Sequence, residues 1–279
     1  MTGAHTPPPE TGGPVPAGVS RHLTPGLLSA EMGLVLGLSL GAAAVSSTIS
    51  FLGAVTAPAA LAEQATSLVD PHAAQERPWL DLTRQLYALV YALVPVALVV
   101  YLLRRSGESR ATIGFDIRRR GFDFTAGALL AALIGIGGLV VYVTSYQLGW
   151  TRPIVPSTLN DHWWVVPVLL AQALKNAVLE EVIVVGYLMH RLGQLGKMRG
   201  WPARNTLIVA ILLSAGLRAL YHLYQGLGMA VGNLVMGVVF CWFYHRFGRV
   251  MPLVIAHALI DVVAFLGALY LLDTLSWLP

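Results

Sequence analysis

Apolar runs long enough to cross a bilayer recur along this chain, and they constrain its fold more than any other feature. They lie at about 27–55, 83–103, 124–148, 163–190, 204–222, 229–247 and 251–272. Each approaches or exceeds the ~20 residues that a helix needs to traverse the hydrocarbon core. The expected fold is therefore all-α: a polytopic transmembrane helical bundle of about seven spans, within a range of six to eight. Composition agrees. Hydrophobic residues make up 56% of the chain and charged residues 11%, against roughly 25% charged in soluble domains. The formal charge of +4 is carried by loop arginines, with no basic block of the kind that grips nucleic acid, so no nucleic-acid partner is expected. The one cysteine, Cys241, cannot form an intrachain disulfide.

Residues 1–26 are rich in Pro, Gly and Thr and read as a disordered tail, with residues 27–279 forming the transmembrane domain. Basic residues crowd alternate connections: Arg104, Arg105, Arg110 and Arg118 to Arg120 in the second, Arg191, Lys197, Arg199 and Arg204 in the fourth, Arg246 and Arg249 in the sixth. The first connection carries Glu63, Asp70, Glu76 and Asp81, and the third Arg152 and Asp161. Lys/Arg-rich loops stay inside. A cytoplasmic N-terminus in a multi-pass protein of the cell (cytoplasmic) membrane is expected, with the lipid bilayer as its surroundings. In the first span, Gly33, Gly37 and Gly41 form a small-residue stripe suited to close helix packing. The stretch Gly37-Leu-Ser39-Leu-Gly41 also matches G-x-S-x-G, but that motif needs a strand-turn-helix corner, and a continuous apolar helix is expected here.

Three places in the C-terminal half put ionisable groups where lipid should be. Glu180 and Glu181 sit side by side in the fourth run; Arg218 precedes His222 by four residues in the fifth, as His257 precedes Asp261 in the last. Residues four apart share a helix face, and a charge at membrane depth is costly unless it faces a polar interior. A single polar centre among three helices satisfies all of them. Any one patch alone reads more readily as a polar bridge fixing helix packing; three together, with so many titratable groups, point to chemistry. Adjacent carboxylates also repel, so one of the pair is expected to hold a proton near neutral pH.

On these residues the region 160–265 resembles the CAAX-protease and bacteriocin-processing (CPBP, or Abi) family of intramembrane endopeptidases. That family carries Glu-Glu-x-x-x-Arg on one helix, Phe-x-x-x-His on a second and His-x-x-x-Asn or His-x-x-x-Asp on a third. This chain presents Glu180-Glu181-x-x-x-Val185, Arg218-x-x-x-His222 and His257-x-x-x-Asp261. Val185 stands where the family has Arg, and Arg218 where it has Phe. A swap is inferred, in which the neighbouring helix delivers the guanidinium.

The resemblance implies an intramembrane endopeptidase acting on a peptide or membrane-protein segment through glutamate- and histidine-activated water. Glu180 would be the general base assisted by His222, with Glu181 behind it binding either Arg218 or the helix backbone. His257 and Asp261 would serve the oxyanion, Asp261 either donating when protonated or orienting His257. No cofactor is required in that reading. A zinc alternative would use Glu180, His222 and His257 as ligands. A catalytically silent scaffold or immunity protein, and a proton-coupled transporter using the same groups as a relay, are the competing readings. Asn233 could support the site and Asn176 line it, or each could only bond a neighbouring helix; Tyr221 could form the cavity mouth or part of an interfacial belt. One difficulty stands against convergence. His222 follows Arg204 by eighteen positions, about 27 Å along a helix, so the segment around Trp201-Pro202 must extend beyond the membrane or the helix must tilt strongly.

Overall fold

The computed structural model describes residues 23–67, 77–155 and 162–270. Most of the expected N-terminal tail, and the loop acids Asp70, Glu76 and Asp161, lie outside these. The first helix, α1 (Pro25–Gly37), begins just inside the expected tail boundary. Its start is set locally: the Thr24 hydroxyl accepts the Leu27 N–H at 3.2 Å, and Pro25 occupies the first helical position, where its missing N–H is no loss.

The first run is not one straight helix. It breaks after Gly37, and α2 (Leu40–Val55) leaves α1 at 51°. At the break, the Ser39 hydroxyl bonds back to the Val35 carbonyl at 2.6 Å. The G-x-S-x-G stretch is thus the corner of a bent pair, where a continuous helix was expected. Among the described residues, nothing lies within 4 Å of where a Cβ at Gly33 or Gly37 would stand, and one at Gly41 would meet Leu36 across the bend. The expected close crossing on that stripe is absent, and a shallow groove of about 610 Å³ lined by Gly37, Gly41, Val45 and Ile49 opens there instead.

Next come α3 (Pro78–Ala92) and α4 (Val94–Arg105), joined at Leu93 into one 28-residue apolar segment. Pro95 explains the hitch, because it cannot donate to the carbonyl four residues back. Helix α5 (Arg120–Gln147) runs 28 residues. Helix α6 (Val165–Glu180) continues without interruption through a seven-residue π-helix (Glu181–Tyr187) into α7 (Leu188–Met198). Then follow α8 (Ala203–Tyr221), α9 (Leu227–Phe247) and α10 (Met251–Tyr270). Among the described residues, four segments are long and apolar enough to span a membrane, namely α3–α4, α5, α8 and α9, and the bent α1–α2 pair makes a fifth. The other two expected runs fold as helices too: the rod α6–π–α7, which carries the glutamates, and α10.

The rod is the axis of the molecule. Glu181 to Val185 are all 0% exposed and Tyr187 1%, so the π-helical segment of the rod is covered on every side. A helix apolar all round belongs at a bundle's centre. Helix α8 folds back along α7 as an antiparallel hairpin. Thr206 fills the space beside Gly196, the Ser214 hydroxyl donates to the Val184 carbonyl at 2.6 Å, and Arg218 reaches Glu181.

Ion pairs mark the end of the bundle where α4 stops and α5 and α10 start. Arg249 bonds Asp123 at 2.6 and 2.7 Å and Asp116 at 3.2 Å. Arg191 donates to Glu108 at 2.7 Å, and His190 joins the same carboxylate at 2.6 Å. Arg105 pairs with Glu31 of α1. Burial pushes the Glu108 carboxyl up, but the His190 hydrogen bond and the charges of His190 and Arg191 outweigh it and leave the group below its ordinary value. At the other end, Thr66–Ser67 (β1) pairs in parallel with Ile154–Val155 (β2). Arg152 ties these loops together by donating to the carbonyls of Gln64, Ala65 and Tyr224.

Candidate active site

Helices α6, α8 and α10 bring the three ionisable patches together inside the bundle. Glu180, the last residue of α6, and Glu181, the first of the π-helix, project from the central rod. From α8, the Arg218 guanidinium donates to Glu181 Oε1 at 2.5 Å and to Glu180 Oε2 at 3.4 Å. It is 0% exposed. The repulsion expected between the paired carboxylates is answered by one cation bridging both.

From α10, His257 Nδ1 lies 2.7 Å from Glu181 Oε1 and 4.0 Å from Glu180 Oε2. Its other nitrogen, Nε2, lies 3.5 Å from Asp261 Oδ1. The imidazole is thus held between two carboxylates, and Asp261 orients it. The two glutamates differ in access. The Glu181 side chain is 0% exposed and that of Glu180 10%, so Glu180 is the more accessible of the two. Glu181 is sealed, and its Oε2 has no hydrogen-bond partner among the described residues.

His222 ends α8 and is half-buried. Its Nδ1 donates to the Arg218 carbonyl at 3.0 Å. That bond leaves Nε2 as the free, accepting nitrogen. It lies close enough to feel the charges of Glu180 and His257, though it makes no direct bond to either. The group on α8 that does touch Glu180 is Tyr221, whose hydroxyl donates to Oε2 at 2.7 Å. Sequence reasoning placed Tyr221 only at the cavity mouth. The available signal was its position three residues after Arg218, on the same face of the helix.

Of the two asparagines singled out, Asn176 joins the site by donating to Asp261 Oδ2 at 3.2 Å. Asn233 turns to its own helix and donates to the Met229 carbonyl at 3.0 Å. Among the described residues, the acidic and imidazole groups that come within 4.8 Å of one another as a potential metal-holding set are Glu180, Glu181 and His257. His222, named in the zinc alternative, is not in that set.

Convergence is reached by extension beyond the ion-pair end. Arg191 follows Glu181 by ten residues and His257 follows Arg249 by eight, so both place the site roughly 12–15 Å inward from the ion pairs. The α7–α8 hairpin projects past that level, which gives α8 the length to carry Arg218 and His222 back to the same depth. The segment around Trp201-Pro202 is the tip of this projection.

Residues 162–263 match a family model described as type II CAAX prenyl endopeptidase Rce1-like. The matched segment covers α6 to the middle of α10, and with them every residue of the cluster. The family is one of proteases, and it is the one that the three motifs resemble. No curated protein and no solved structure matches the chain.

Proposed function

We propose that this multi-pass membrane protein, with the CAAX-type protease segment at its core, is an endopeptidase that hydrolyses a peptide or membrane-protein segment inside the bilayer. The observation that carries the proposal is the bridged pair: two glutamates on a central rod, locked by Arg218 from α8 and His257 from α10. The family name suggests a prenylated tail ending in a CAAX sequence as one substrate class; unprenylated membrane segments are the other.

In the mechanism, Glu180 takes a proton from a water molecule, and the hydroxide adds to the scissile carbonyl carbon. The C–N bond then breaks, and the proton passes to the leaving amine from Glu180, with His222 Nε2 able to relay it. One water is consumed, and one acid and one amine are produced. Glu181 keeps Arg218 and His257 in place and does not touch substrate. A carboxylate aimed by a guanidinium and a tyrosine hydroxyl is held in one orientation, the condition for an efficient general base. Arg218 does from α8 what an arginine at position 185 would do. Val185 is 0% exposed in an apolar core, so the swapped arrangement leaves that core dry.

The carboxylate and imidazole set is a poor match for a divalent cation in this reading. Arg218 already lies against both glutamates, His257 Nδ1 faces Glu181 as a hydrogen-bonding partner, and a metal would share its ligands with a buried positive charge. No step is routed through one. A carrier would call for broken helices in paired halves, whereas the described residues contain one bent pair.

The test uses the full chain in detergent with internally quenched peptides, including a prenylated peptide ending in CAAX. Wild-type cleavage should fall by about 10²–10⁴-fold in Glu180→Gln, the usual weight of a general base, and should survive a chelator. Cleavage abolished by the chelator and restored by zinc would replace this mechanism with the metal one. A wild type that cleaves nothing would leave the silent scaffold as the reading.

A further inference from the structure

We infer that Asn176, which lies outside the three motifs, is a catalytic residue: its side-chain amide donates the hydrogen bond that holds the oxyanion. The inference rests on the protease reading and names a part of the same site. Asn176 precedes Glu180 by one turn on α6, and Asp261 follows His257 by one turn on α10. The helices face each other as a two-rung ladder, with Glu181–His257 as one rung at 2.7 Å and Asn176–Asp261 as the next at 3.2 Å.

A count of donors singles out the second rung. The carbonyl oxygen gains negative charge as hydroxide adds, and it needs an N–H or O–H already in place. Both nitrogens of His257 face carboxylates. The Tyr221 hydroxyl is given to Glu180. His222 spends its Nδ1 proton on the Arg218 carbonyl, and its free nitrogen accepts. The Arg218 guanidinium is wholly buried, out of a substrate's reach. Asp261 accepts from Asn176 and faces His257 Nε2 at 3.5 Å, and a carboxylate has nothing to donate.

The amide nitrogen of Asn176 carries two N–H groups, and among the described residues only one is engaged, by Asp261. Asn176 is half-buried, so the amide is not sealed in the core as the Arg218 guanidinium is. The Asp261 bond also decides which end of the amide is nitrogen, because the oxygen end would repel the carboxylate. The resembled family carries an amide or a carboxyl at position 261. Here the carboxyl is at 261 and the amide stands opposite, on α6.

The experiment measures kcat and KM on a quenched peptide that the wild type cleaves, for Asn176→Ala, the near-isosteric Asn176→Asp, and Asn176→Ala with Asp261→Asn. Loss of one oxyanion donor predicts a fall of about 10²–10³-fold in kcat for Asn176→Ala, with KM within about threefold. Asn176→Asp replaces the donor by an acceptor of the same shape and should be at least as slow. Asp261→Asn returns an amide to the opposite rung, and should recover about tenfold or more of the Asn176→Ala loss. That recovery is not available to a residue that only packs. Unchanged kcat in Asn176→Ala, or no recovery in the double variant, overturns the inference while Glu180→Gln remains inactive. A wild type that cleaves no peptide removes the protease reading and this inference with it.

Discussion

Arg218 and Glu181 form a buried pair of full charges, both 0% exposed, and the energetics of such pairs are lopsided. Bringing both into the interior costs about as much as their attraction returns, whereas deleting one strands the other. Arg218→Met should therefore lower stability by about 3–5 kcal/mol. Arg218→Met with Glu181→Gln removes both charges and should recover most of the loss in a detergent melt. The double variant should still fail to cleave peptide, because Glu180 has lost the guanidinium that aims it. A double variant as unstable as the single one would show that Arg218 stabilises by packing rather than by charge. Arg218 could be picked out from its sequence alone as the cation opposite Val185. Tyr221 could not, because only the packed structure shows its hydroxyl reaching across to α6.

At the scale of elements, the rod and the α8–α9 contact decide where the charges sit. The π-helix begins at Glu181 and spans the β-branched run Val182 to Val185; wider turns of this kind recur at functional sites. It directs Glu181 toward Arg218 while Glu180, on the last α-helical turn, meets Tyr221. Helix α9 supports α8 from behind through Gly237, where a Cβ would stand 2.8 Å from the Ala215 Cα and 3.4 Å from the Arg218 Cδ. Gly237→Ala must push the helices apart, and overpacking of this kind costs about 1–3 kcal/mol. It should lower both the melting temperature and kcat, since the displaced helix carries Arg218. Gly216→Ala, on α8 where a Cβ would meet nothing within 4 Å among the described residues, is the control and should change neither. Equal effects from the two would mean that the α8–α9 spacing does not govern the site.

Over the whole molecule, the ion pairs at one end hold the loops to the rod. Glu108 is the titratable centre of the Arg191 group, accepting from Arg191, from Gln194 at 2.8 Å and from Ser106 at 3.1 Å. Its carboxyl is lowered in the folded state by His190 and Arg191, against the opposing effect of burial. A lowered carboxylate contributes stability above its unfolded value and loses it as pH falls through the folded one. Melting temperature should thus hold near neutrality and fall below about pH 4. Glu108→Gln should melt lower at neutral pH and lose part of that acid dependence. An unchanged acid limb would place the acid-sensitive group elsewhere. The cytoplasmic orientation of this end is the expectation set by its arginines.

The spacing of apolar runs and the four-residue pairing of charged groups by themselves determined a helical membrane bundle, and named Glu180, Glu181, Arg218, His222, His257 and Asp261 as groups that lipid could not tolerate. Solvation settles that much, because it acts on each residue through its own chemistry. Tertiary structure alone decided which partner each group takes: Glu181 rather than Glu180 for His257, Tyr221 rather than His222 on Glu180, and Asn176 rather than Asn233 beside Asp261. It also decided the bend in the first run and the projecting α7–α8 hairpin, which removes the depth mismatch of His222. Those outcomes depend on helix rotation, a π-turn and contacts between residues tens of positions apart, none of which a local pattern of polarity encodes.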